Sequence, residues 1–393
     1  MGPLHSLFNG KCKPIERMES THYNDEYGIV YLLLTVHSID MKNRIFLPAA
    51  YLCYPFKSSL LLVSLLLFFS SCMTSKLGSA GRKQIVGRTY VIVGASSGFG
   101  RGVAEQLGAY HANVIIAARR TDLLQEIAGK IKAAGGTALV VTMDISKPED
   151  VQRLLDTAIS HYGTVDVWIN MAGVGAIGRF WEIPVEDQAR IVDVNLKGFI
   201  YGSHAAIRQF TKQGYGTLIN MGSIESENPL AYHASYAATK AGILNLSQAI
   251  NHELRLNGHK NIKVVTVEPW AVDTPFWQHA VNYSGGTPRM AAMDDPQKVV
   301  NAVIRASLWP RQEVPVGWKA RGTWFFHHLF PHFTERLSAN IIHRYQIKTA
   351  PPAPPTKGTA YTPMQSGRGV DDGVRQRMEE EKKLPPNKEE KKQ

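Results

Sequence analysis

The alternation of two kinds of segment from Thr89 onward constrains the fold more than any other feature of the chain. Short runs rich in Val, Ile and Ala alternate with segments of helical length and period, such as 121–134 and 150–162. Strands that are apolar on both faces and separated by helices indicate a parallel sheet covered on both sides. The sequence therefore predicts a single doubly wound α/β (Rossmann) domain, with strands at 90–93, 113–117, 138–142, 165–170, 217–221, 263–267 and 313–316.

Composition divides the 393-residue chain into four parts. Residues 1–84 form an N-terminal extension with a hydrophobic segment at 60–69, and residues 85–320 form the Rossmann domain. Residues 321–348 are predicted to form a C-terminal helical extension. Residues 349–393 begin with a Pro-rich run and end in mixed Glu/Lys runs, which predicts a disordered tail.

The charge and the cysteine content exclude several classes of function. A net charge of +11 would suit an anionic partner, but the basic residues are scattered and are not interleaved with aromatic residues. No nucleic-acid binding is therefore predicted. Cys12, Cys53 and Cys72 all precede the domain, and the sequence has no Cys/His spacing typical of metal ligands. Neither a disulfide framework nor a metal site is predicted.

A glycine-rich loop joins the first predicted strand to the helix that follows it. The loop reads Gly94-Ala95-Ser96-Ser97-Gly98-Phe99-Gly100. Glycines at such a place permit a tight turn and let a pyrophosphate approach the N-terminus of the helix closely. The alternative is a purely structural turn. Because the loop lies between a strand and a helix at the start of a sheet, it favours a dinucleotide-binding site.

The end of the second predicted strand indicates which dinucleotide is bound. A site specific for NAD would place Asp or Glu there, but the chain reads Ala117-Ala118-Arg119-Arg120. A guanidinium group suits the 2′-phosphate of NADP(H), so NADP(H) is predicted and NAD(H) is the less favoured alternative. The two arginines would look the same at the start of a solvated helix. Asp144, after the third strand, could accept a hydrogen bond from the adenine amine, or could lie in an ordinary helix N-cap region.

Tyr236 and Lys240 are four residues apart in a segment, 234–257, with helical character, so the phenol and the ammonium share one face. A free tyrosine has a pKa near 10, and about 4 kcal/mol of phenolate stabilisation is needed for it to act as a base at neutral pH. A nearby cation is one source of that stabilisation. Ser223 follows an apolar run at a strand's carboxyl edge, where its hydroxyl can face a substrate. The Tyr/Lys pair alone is also common on ordinary helix surfaces.

The glycine loop, Asn170-Met171-Ala172-Gly173, Asn195, Ser223 and the Tyr236/Lys240 pair occur together in the order typical of one family. Over residues 85–320 the chain resembles the short-chain dehydrogenases/reductases, in their compact NADP-preferring form of about 250 residues. The resemblance implies that Tyr236 is the general acid/base and that Lys240 holds the nicotinamide ribose and lowers the tyrosine pKa. It implies that Ser223 binds the substrate oxygen and that Asn195 anchors a proton-relay water.

The loop and the resemblance together imply one set of cofactor-binding residues. They are Gly94, Ser96, Ser97, Gly98, Phe99, Gly100, Arg119, Arg120, Asp144, Ile145, Asn170, Ala172, Gly173, Tyr236, Lys240, Pro269, Val272 and Thr274. The chain departs from the family pattern at three places. Met171 replaces a second asparagine, Gly222 stands where a serine often precedes the catalytic one, and Trp270 replaces the glycine of a Pro-Gly pair.

The predicted function is NADP(H)-dependent interconversion of a carbonyl and a primary or secondary alcohol. The alternative is a non-catalytic nucleotide-binding protein, a cofactor sensor or scaffold, on the same fold. A sugar-nucleotide epimerase fits the glycine spacing poorly. Aromatic residues in a predicted lid, 276–293, suggest an apolar small-molecule substrate. The resemblance also implies a homodimer or a homotetramer.

The hydrophobic segment 60–69 is short for a membrane span, which needs about 20 apolar residues, but has the length of a signal peptide's apolar region. Phe69-Ser70-Ser71-Cys72 resembles a bacterial lipoprotein cleavage box. Membrane association through residues 57–73, as an anchor or a lipoprotein-like segment, is therefore predicted. A catalytic domain facing the cytoplasm is expected, because NADP(H) is supplied there.

Overall fold

Nine strands occur in the computed structural model, which describes residues 74–383, and seven of them form one parallel sheet. The strands are β1 (Thr89–Val93), β2 (Asn113–Ala118), β3 (Thr137–Thr142), β4 (Val167–Asn170), β5 (Ala176–Ile177), β6 (Gly216–Met221), β7 (Ile262–Pro269), β8 (Val281–Asn282) and β9 (Glu313–Val316). The order in the sheet is β3-β2-β1-β4-β6-β7-β9, and β5 pairs with β8 separately. The predicted doubly wound sheet is confirmed, with strand ends within about two residues of those expected.

Helices connect the strands and cover the sheet. They are α1 (Ser79–Lys83), α2 (Gly98–Gly108), α3 (Thr121–Ala133), α4 (Pro148–Tyr162), α5 (Val185–Val192), α6 (Gly198–Gln213), α7 (Ala234–Leu256), α8 (Phe276–His279), α9 (Pro296–Leu308), α10 (Gly317–Leu329), α11 (Pro331–Ile342) and α12 (Val374–Lys383). Strand β1 is buried along its whole length, and Trp168 of β4 is the largest fully buried side chain. Burying each large apolar side chain stabilises the fold by about 1.5–3 kcal/mol, which explains why the strands are apolar on both faces.

The strand order reverses between β1 and β4, since β2 and β3 extend the sheet on one side and β6, β7 and β9 on the other. Val93 pairs with Asn170, and Asn170 pairs with Asn220, so the loops after β1, β4 and β6 leave the sheet at the same level. Ligands of open parallel sheets bind in the crevice at such a reversal, beyond the carboxyl ends of the strands. The fold therefore places the glycine loop beside the loop that contains Ser223.

Residues 349–383 differ from the disordered tail that composition predicts. Thr356 and Asn282 exchange two backbone hydrogen bonds, of 2.9 and 3.0 Å, and the Ala353 N–H donates to Gly285. Ala360 and Val374 are buried, and α12 follows. A composition rule misses this arrangement because the partners of the segment lie elsewhere in the chain, while its prolines reduce the entropy lost on ordering. Residues 384–393 lie outside the described residues.

The prediction of membrane association is wrong for the part of the chain that the structure describes. Among residues 74–383 no helix is both long enough and apolar enough to cross a bilayer. The hydrophobic segment 60–69, on which that prediction depended, lies outside the described residues.

Candidate active site

A cavity at the carboxyl edge of the sheet brings together most of the residues singled out in the sequence. Of the predicted catalytic and cofactor-binding residues, all line this cavity except Asn170 and Asn195, which are fully buried behind it. Those that line it are Gly94, Ser96, Ser97, Gly98, Phe99, Gly100, Arg119, Arg120, Asp144, Ile145, Ala172, Gly173, Ser223, Tyr236, Lys240, Pro269, Val272 and Thr274. The cavity thus extends from the two arginines at one end to Tyr236 and Lys240 at the other.

The glycine loop has the backbone geometry that a bound pyrophosphate requires. Gly94 has a φ of +94°, and a Cβ there would meet the amide nitrogen of Ala172 at 2.5 Å. A Cβ at Gly100 would overlap the carbonyl oxygen of Gly94. At Gly98 the nearest atom to an added Cβ is 3.8 Å away, and the Gly98 amide donates to the carbonyl of Gly369 at 2.9 Å. This loop and the N-terminus of α2 fit the phosphates of a dinucleotide.

Arg119 and Arg120 lie where the sequence places them, but their donors already have partners. Residues 356–375, called here the C-terminal strap, cross this end of the cavity. Arg119 donates to the carbonyl oxygens of Thr359 and Tyr361, at 2.6 and 3.2 Å. Arg120 donates through Nη1 to three further strap carbonyls, and through Nε and Nη2 to the hydroxyls of Ser96 and Ser97. The strap is therefore part of the wall of the predicted adenosine site.

Asp144 lies beside the arginines, where it is held by Ser146 and Arg190. The Ser146 amide and hydroxyl donate to Oδ1 at 3.0 and 2.8 Å, and Arg190 donates to Oδ2 at 3.2 Å. Burial alone would raise the pKa of Asp144, but the bonds from Ser146 and the charge of Arg190 outweigh it and hold the pKa below its usual range. The carboxylate is thus ionised, and Oδ2 keeps the capacity to accept one more hydrogen bond.

Lys240 lies on α7 one turn after Tyr236, but its ammonium contacts a backbone oxygen. Nζ donates to the carbonyl of Met221 at 2.6 Å and lies 5.5 Å from the centroid of the Tyr236 ring. Burial lowers the pKa of Lys240 to about 7, and the charge of Glu225 opposes that effect. Burial and the charge of Glu225 raise the pKa of Tyr236, while a hydrogen bond with Ser223 opposes them. The resemblance implied a lowered tyrosine pKa, and the structure shows the opposite direction.

Ser223 begins a short 3₁₀ turn, Ile224–Ser226, directly after β6. Its Oγ accepts the amide of Glu225 at 3.1 Å, and its own amide donates to Ser226 Oγ at 3.2 Å. This reciprocal pair is a capping box that fixes the Ser223 side chain. Since Oγ accepts from the backbone, its O–H is a donor that can reach the Tyr236 oxygen or a substrate oxygen in the cavity.

Asn195 and Asn170 support the cavity from behind. Asn195 lies in a π-helical turn, Asp193–Lys197, between α5 and α6, a type of distortion that is frequent at functional sites. It exchanges two hydrogen bonds of 2.9 Å with the backbone of Val174 and donates to Thr239 at 3.3 Å. Asn170 donates to the side chain of Asn220 at 2.9 Å. Both asparagines therefore fix the loop after β4 and the central strands.

The sequence analysis missed a buried polar chain that reaches the catalytic end of the cavity. Glu225 lines the cavity and bonds His233 Nδ1 at 3.0 Å, and His233 Nε2 bonds Gln346 at 3.1 Å. The His233 ring lies 6.4 Å from the Tyr236 ring, edge to face. Burial alone would lower the pKa of His233, but Glu225 outweighs it and raises the pKa. Glu225 and His233 lie between Ser223 and Lys240 in the sequence and could have been singled out as site residues, whereas nothing in the sequence points to Gln346.

The remaining wall at the catalytic end is apolar. It is formed by Leu230, Trp270, Phe276, Trp277 and Met290. Trp277 donates its indole N–H to the carbonyl of Val272 at 2.8 Å. The indole N–H of Trp270 is buried and has no hydrogen-bond partner among the described residues. Trp270, which replaces the expected glycine, thus forms part of the wall itself.

Comparisons with known proteins agree with this geometry. Residues 88–283 match the family described as short chain dehydrogenase. The uncharacterized oxidoreductase YxnA of Bacillus subtilis (strain 168) is 32% identical over 282 residues, which cover 71% of this chain and 79% of that protein. Glucose 1-dehydrogenase 2 of the same organism is 33% identical over 199 residues, 49% of this chain and 74% of that protein. A solved structure, the alcohol dehydrogenase from the archaeon Thermococcus sibiricus complexed with 5-hydroxy-NADP, aligns with a TM-score of 0.50 and 25% identity, covering 58% of this chain and 94% of that chain.

Proposed function

Because this chain belongs to the short-chain dehydrogenase family, whose members are oxidoreductases, we propose that it interconverts a carbonyl and a primary or secondary alcohol with NADP(H). One observation carries this proposal. Ser223, Tyr236 and Lys240 line the same cavity as the glycine loop, so a proton donor lies at one end of a dinucleotide-shaped site. A protein that only binds a nucleotide has no need of that group.

The residues that would hold the cofactor fit its parts in order. The amides at the start of α2 would bind the pyrophosphate, Arg119 and Arg120 the 2′-phosphate, Asp144 the adenine amine and Lys240 the nicotinamide ribose. When bound, the nicotinamide supplies or accepts the hydride. NADP(H) rather than NAD(H) is supported by the two arginines, and by the bound NADP analogue of the Thermococcus sibiricus relative.

Tyr236 would move the proton. In the direction of reduction the catalytic group must be a neutral phenol that donates to the carbonyl oxygen. The raised pKa of Tyr236 keeps the phenol protonated at neutral pH. The O–H of Ser223 would donate to the same substrate oxygen, where negative charge develops. In that direction Ser223 would orient the substrate and Tyr236 would supply the proton.

Glu225 and His233 would influence the protonation of Lys240 at this end of the cavity. Lys240 is fully desolvated, and the charge of Glu225 favours its protonated form. His233, bonded on one side to Glu225 and on the other to Gln346, fixes the carboxylate in place. We propose that these two residues are positioning residues for Lys240 and Tyr236.

The substrate is proposed to be a small apolar aldehyde or ketone. Five of the residues around the catalytic end are large and apolar, and the buried N–H of Trp270 offers one polar contact. A homodimer or homotetramer remains a prediction from the family resemblance.

The test uses the full-length chain and begins with titration of NADPH and NADH, followed by turnover of a panel of apolar aldehydes and ketones. Tyr236→Phe should bind NADPH as the parent does but lose turnover by about 100- to 10,000-fold, the usual contribution of a general acid. Tyr215→Phe, at an exposed loop position, is the matched control and should be unchanged. Undiminished turnover by Tyr236→Phe would exclude the proposed acid. If neither nucleotide binds, the cofactor assignment fails first.

A further inference from the structure

The C-terminal strap occupies the donors that the proposed function assigns to the 2′-phosphate. Nη1 of Arg120 donates to the carbonyl oxygens of Met364, Ser366 and Gly367, at 3.2, 3.2 and 3.3 Å. The other two nitrogens donate to Ser96 and Ser97. A guanidinium has five N–H donors on three nitrogens, and all three nitrogens of Arg120 are bonded. Only 7% of Arg120 is exposed, so little of it is open to another acceptor.

The strap also covers the start of the glycine-loop helix. The carbonyl of Gly369 accepts the amide of Gly98 at 2.9 Å, and the carbonyl of Arg368 accepts Nη1 of Arg101 at 2.7 Å. Arg101 also pairs with Glu105 and Glu126, so the strap is one of several partners there. At Arg119 and Arg120 strap carbonyls stand where the oxygens of a 2′-phosphate would bind, and at Gly98 one stands where a pyrophosphate oxygen would bind.

Specific contacts outside the adenosine site seat the strap on the domain. Ala360 is fully buried, and its carbonyl accepts Nε of Arg190 at 2.8 Å. The hydroxyl of Tyr361 donates to Asp187 at 2.8 Å. At the far end of the strap, Asp273 accepts the amide of Val374 at 2.8 Å. The strap is thus held on the domain by specific contacts, and moving it away from the arginines costs free energy.

From this arrangement we propose that the strap competes within the molecule for the 2′-phosphate site, and that it yields more readily to NADP(H) than to NAD(H). The inference rests on the proposed function for the position of the 2′-phosphate at Arg119 and Arg120. A guanidinium and a phosphate are oppositely charged and frequently pair through two parallel hydrogen bonds, an attraction that a neutral carbonyl does not provide. A 2′-phosphate can therefore displace the carbonyls, whereas the 2′-hydroxyl of NAD(H) offers the arginines no such gain. The strap then acts as a determinant of cofactor selectivity.

In competition of this kind, the apparent dissociation constant for NADP(H) equals the intrinsic one divided by the fraction of molecules in which the strap is open. Loosening the strap raises that fraction. NADP(H) should then bind more tightly. NAD(H), which would use the α2 amides but not Arg120, should gain less.

Two glycines of the strap provide substitutions whose added Cβ would meet none of the predicted cofactor-binding residues. Gly358 has a φ of +50° and Gly367 a φ of +66°, and a Cβ at either would overlap an atom of His279. A β-branched residue does not adopt such a φ readily, so Gly358→Val and Gly367→Val should each unseat the strap. Gln365→Val is the matched control, because position 365 lies in the strap and is exposed.

Dissociation constants for NADP⁺ and NAD⁺ are measured on the full-length chain and on each variant. We expect Gly358→Val and Gly367→Val to bind NADP⁺ more tightly, on the order of tenfold, and to bind NAD⁺ more tightly by a smaller factor, about threefold or less. Gln365→Val should match the parent for both. If the two glycine variants bind both dinucleotides more weakly, the strap is a lid that closes over the cofactor, and the competition is refuted.

A second measurement needs no substitution and so does not depend on the variants folding. Arg368 is an exposed residue of the strap and a site for trypsin. Saturating NADP⁺ should accelerate cleavage there, and by more than saturating NAD⁺ does. Protection by NADP⁺ would overturn the proposal even if the dinucleotide site is confirmed. Absence of binding by either dinucleotide to the parent would refute the proposed cofactor as well, so the two failures are distinguishable.

Discussion

Replacing Asn195 by alanine tests whether the cavity depends on a hydrogen-bonded asparagine behind it. The Asn195 side chain is fully buried and satisfies both the N–H and the C=O of Val174, each at 2.9 Å. Alanine would leave these two backbone groups without that partner in a site that is 4% exposed at Val174. Each buried unsatisfied group costs about 1–3 kcal/mol, so we expect a loss of about 2–6 kcal/mol in the free energy of unfolding. That is a large part of the roughly 5–15 kcal/mol that stabilises a domain.

Urea unfolding followed by tryptophan fluorescence measures this loss by linear extrapolation. Asn245→Ala is the matched control, because Asn245 is an exposed residue of α7 whose side chain donates to a backbone carbonyl of its own helix, that of Ala241 at 3.0 Å. It should change stability by about 0.5 kcal/mol or less. If Asn195→Ala costs no more than this control, the two bonds to Val174 contribute nothing net, and the reasoning is wrong.

Two further predictions concern stability. Burial, followed by the charges of Glu227 and Glu313, raises the pKa of Glu268 to about 9, whereas an unfolded glutamate titrates near 4.3. The stabilisation by protonated Glu268 is therefore complete below about pH 4 and is lost as the pH rises towards 9, by up to about 1.4 kcal/mol per pH unit. Urea midpoints at pH 5 and pH 8 should differ less in Glu268→Gln than in the parent, and an unchanged difference would contradict this account. In the glycine loop, Gly100→Ala should lower the free energy of unfolding by about 2 kcal/mol or more, because the added Cβ overlaps the carbonyl of Gly94. The control Gly129→Ala adds a Cβ to open space in α3 and should raise the free energy of unfolding by about 0.5–1 kcal/mol. Equal changes in the two variants, measured by thermal unfolding, would contradict the crowding at Gly100.

The sheet could be predicted from the sequence because each of its strands is buried enough to impose a pattern. Even the edge strand β3, which is only partly buried, keeps the β-branched residues that mark it. Strands β5 and β8 were not predicted. They have two residues each and pair Ala176 with Val281, so they show no periodicity and depend on a contact distant in sequence.

The site was predictable where one local element sets the geometry. Tyr236 and Lys240 share α7, and Ser223 follows β6, so the spacing alone places them at the sheet edge. The electrostatics were not predictable in this way. The raised pKa of Tyr236 depends on burial and on Glu225, which the resemblance did not include. The partners of Arg119 and Arg120 lie about 240 positions away and carry no side-chain signal, because the strap uses backbone carbonyls.

These unpredicted contacts have a common origin, since both ends of the cavity depend on residues that follow the sheet in the chain. At the catalytic end Gln346 holds His233, which holds Glu225 beside Tyr236 and Lys240. At the adenosine end the strap bonds Arg119 and Arg120. The sheet alone would leave His233 without one partner and the arginines open to any anion. Residues after 340 therefore line or support the candidate site, and the proposed cofactor selectivity and the protonation of Tyr236 and Lys240 would both depend on this C-terminal segment together with the sheet.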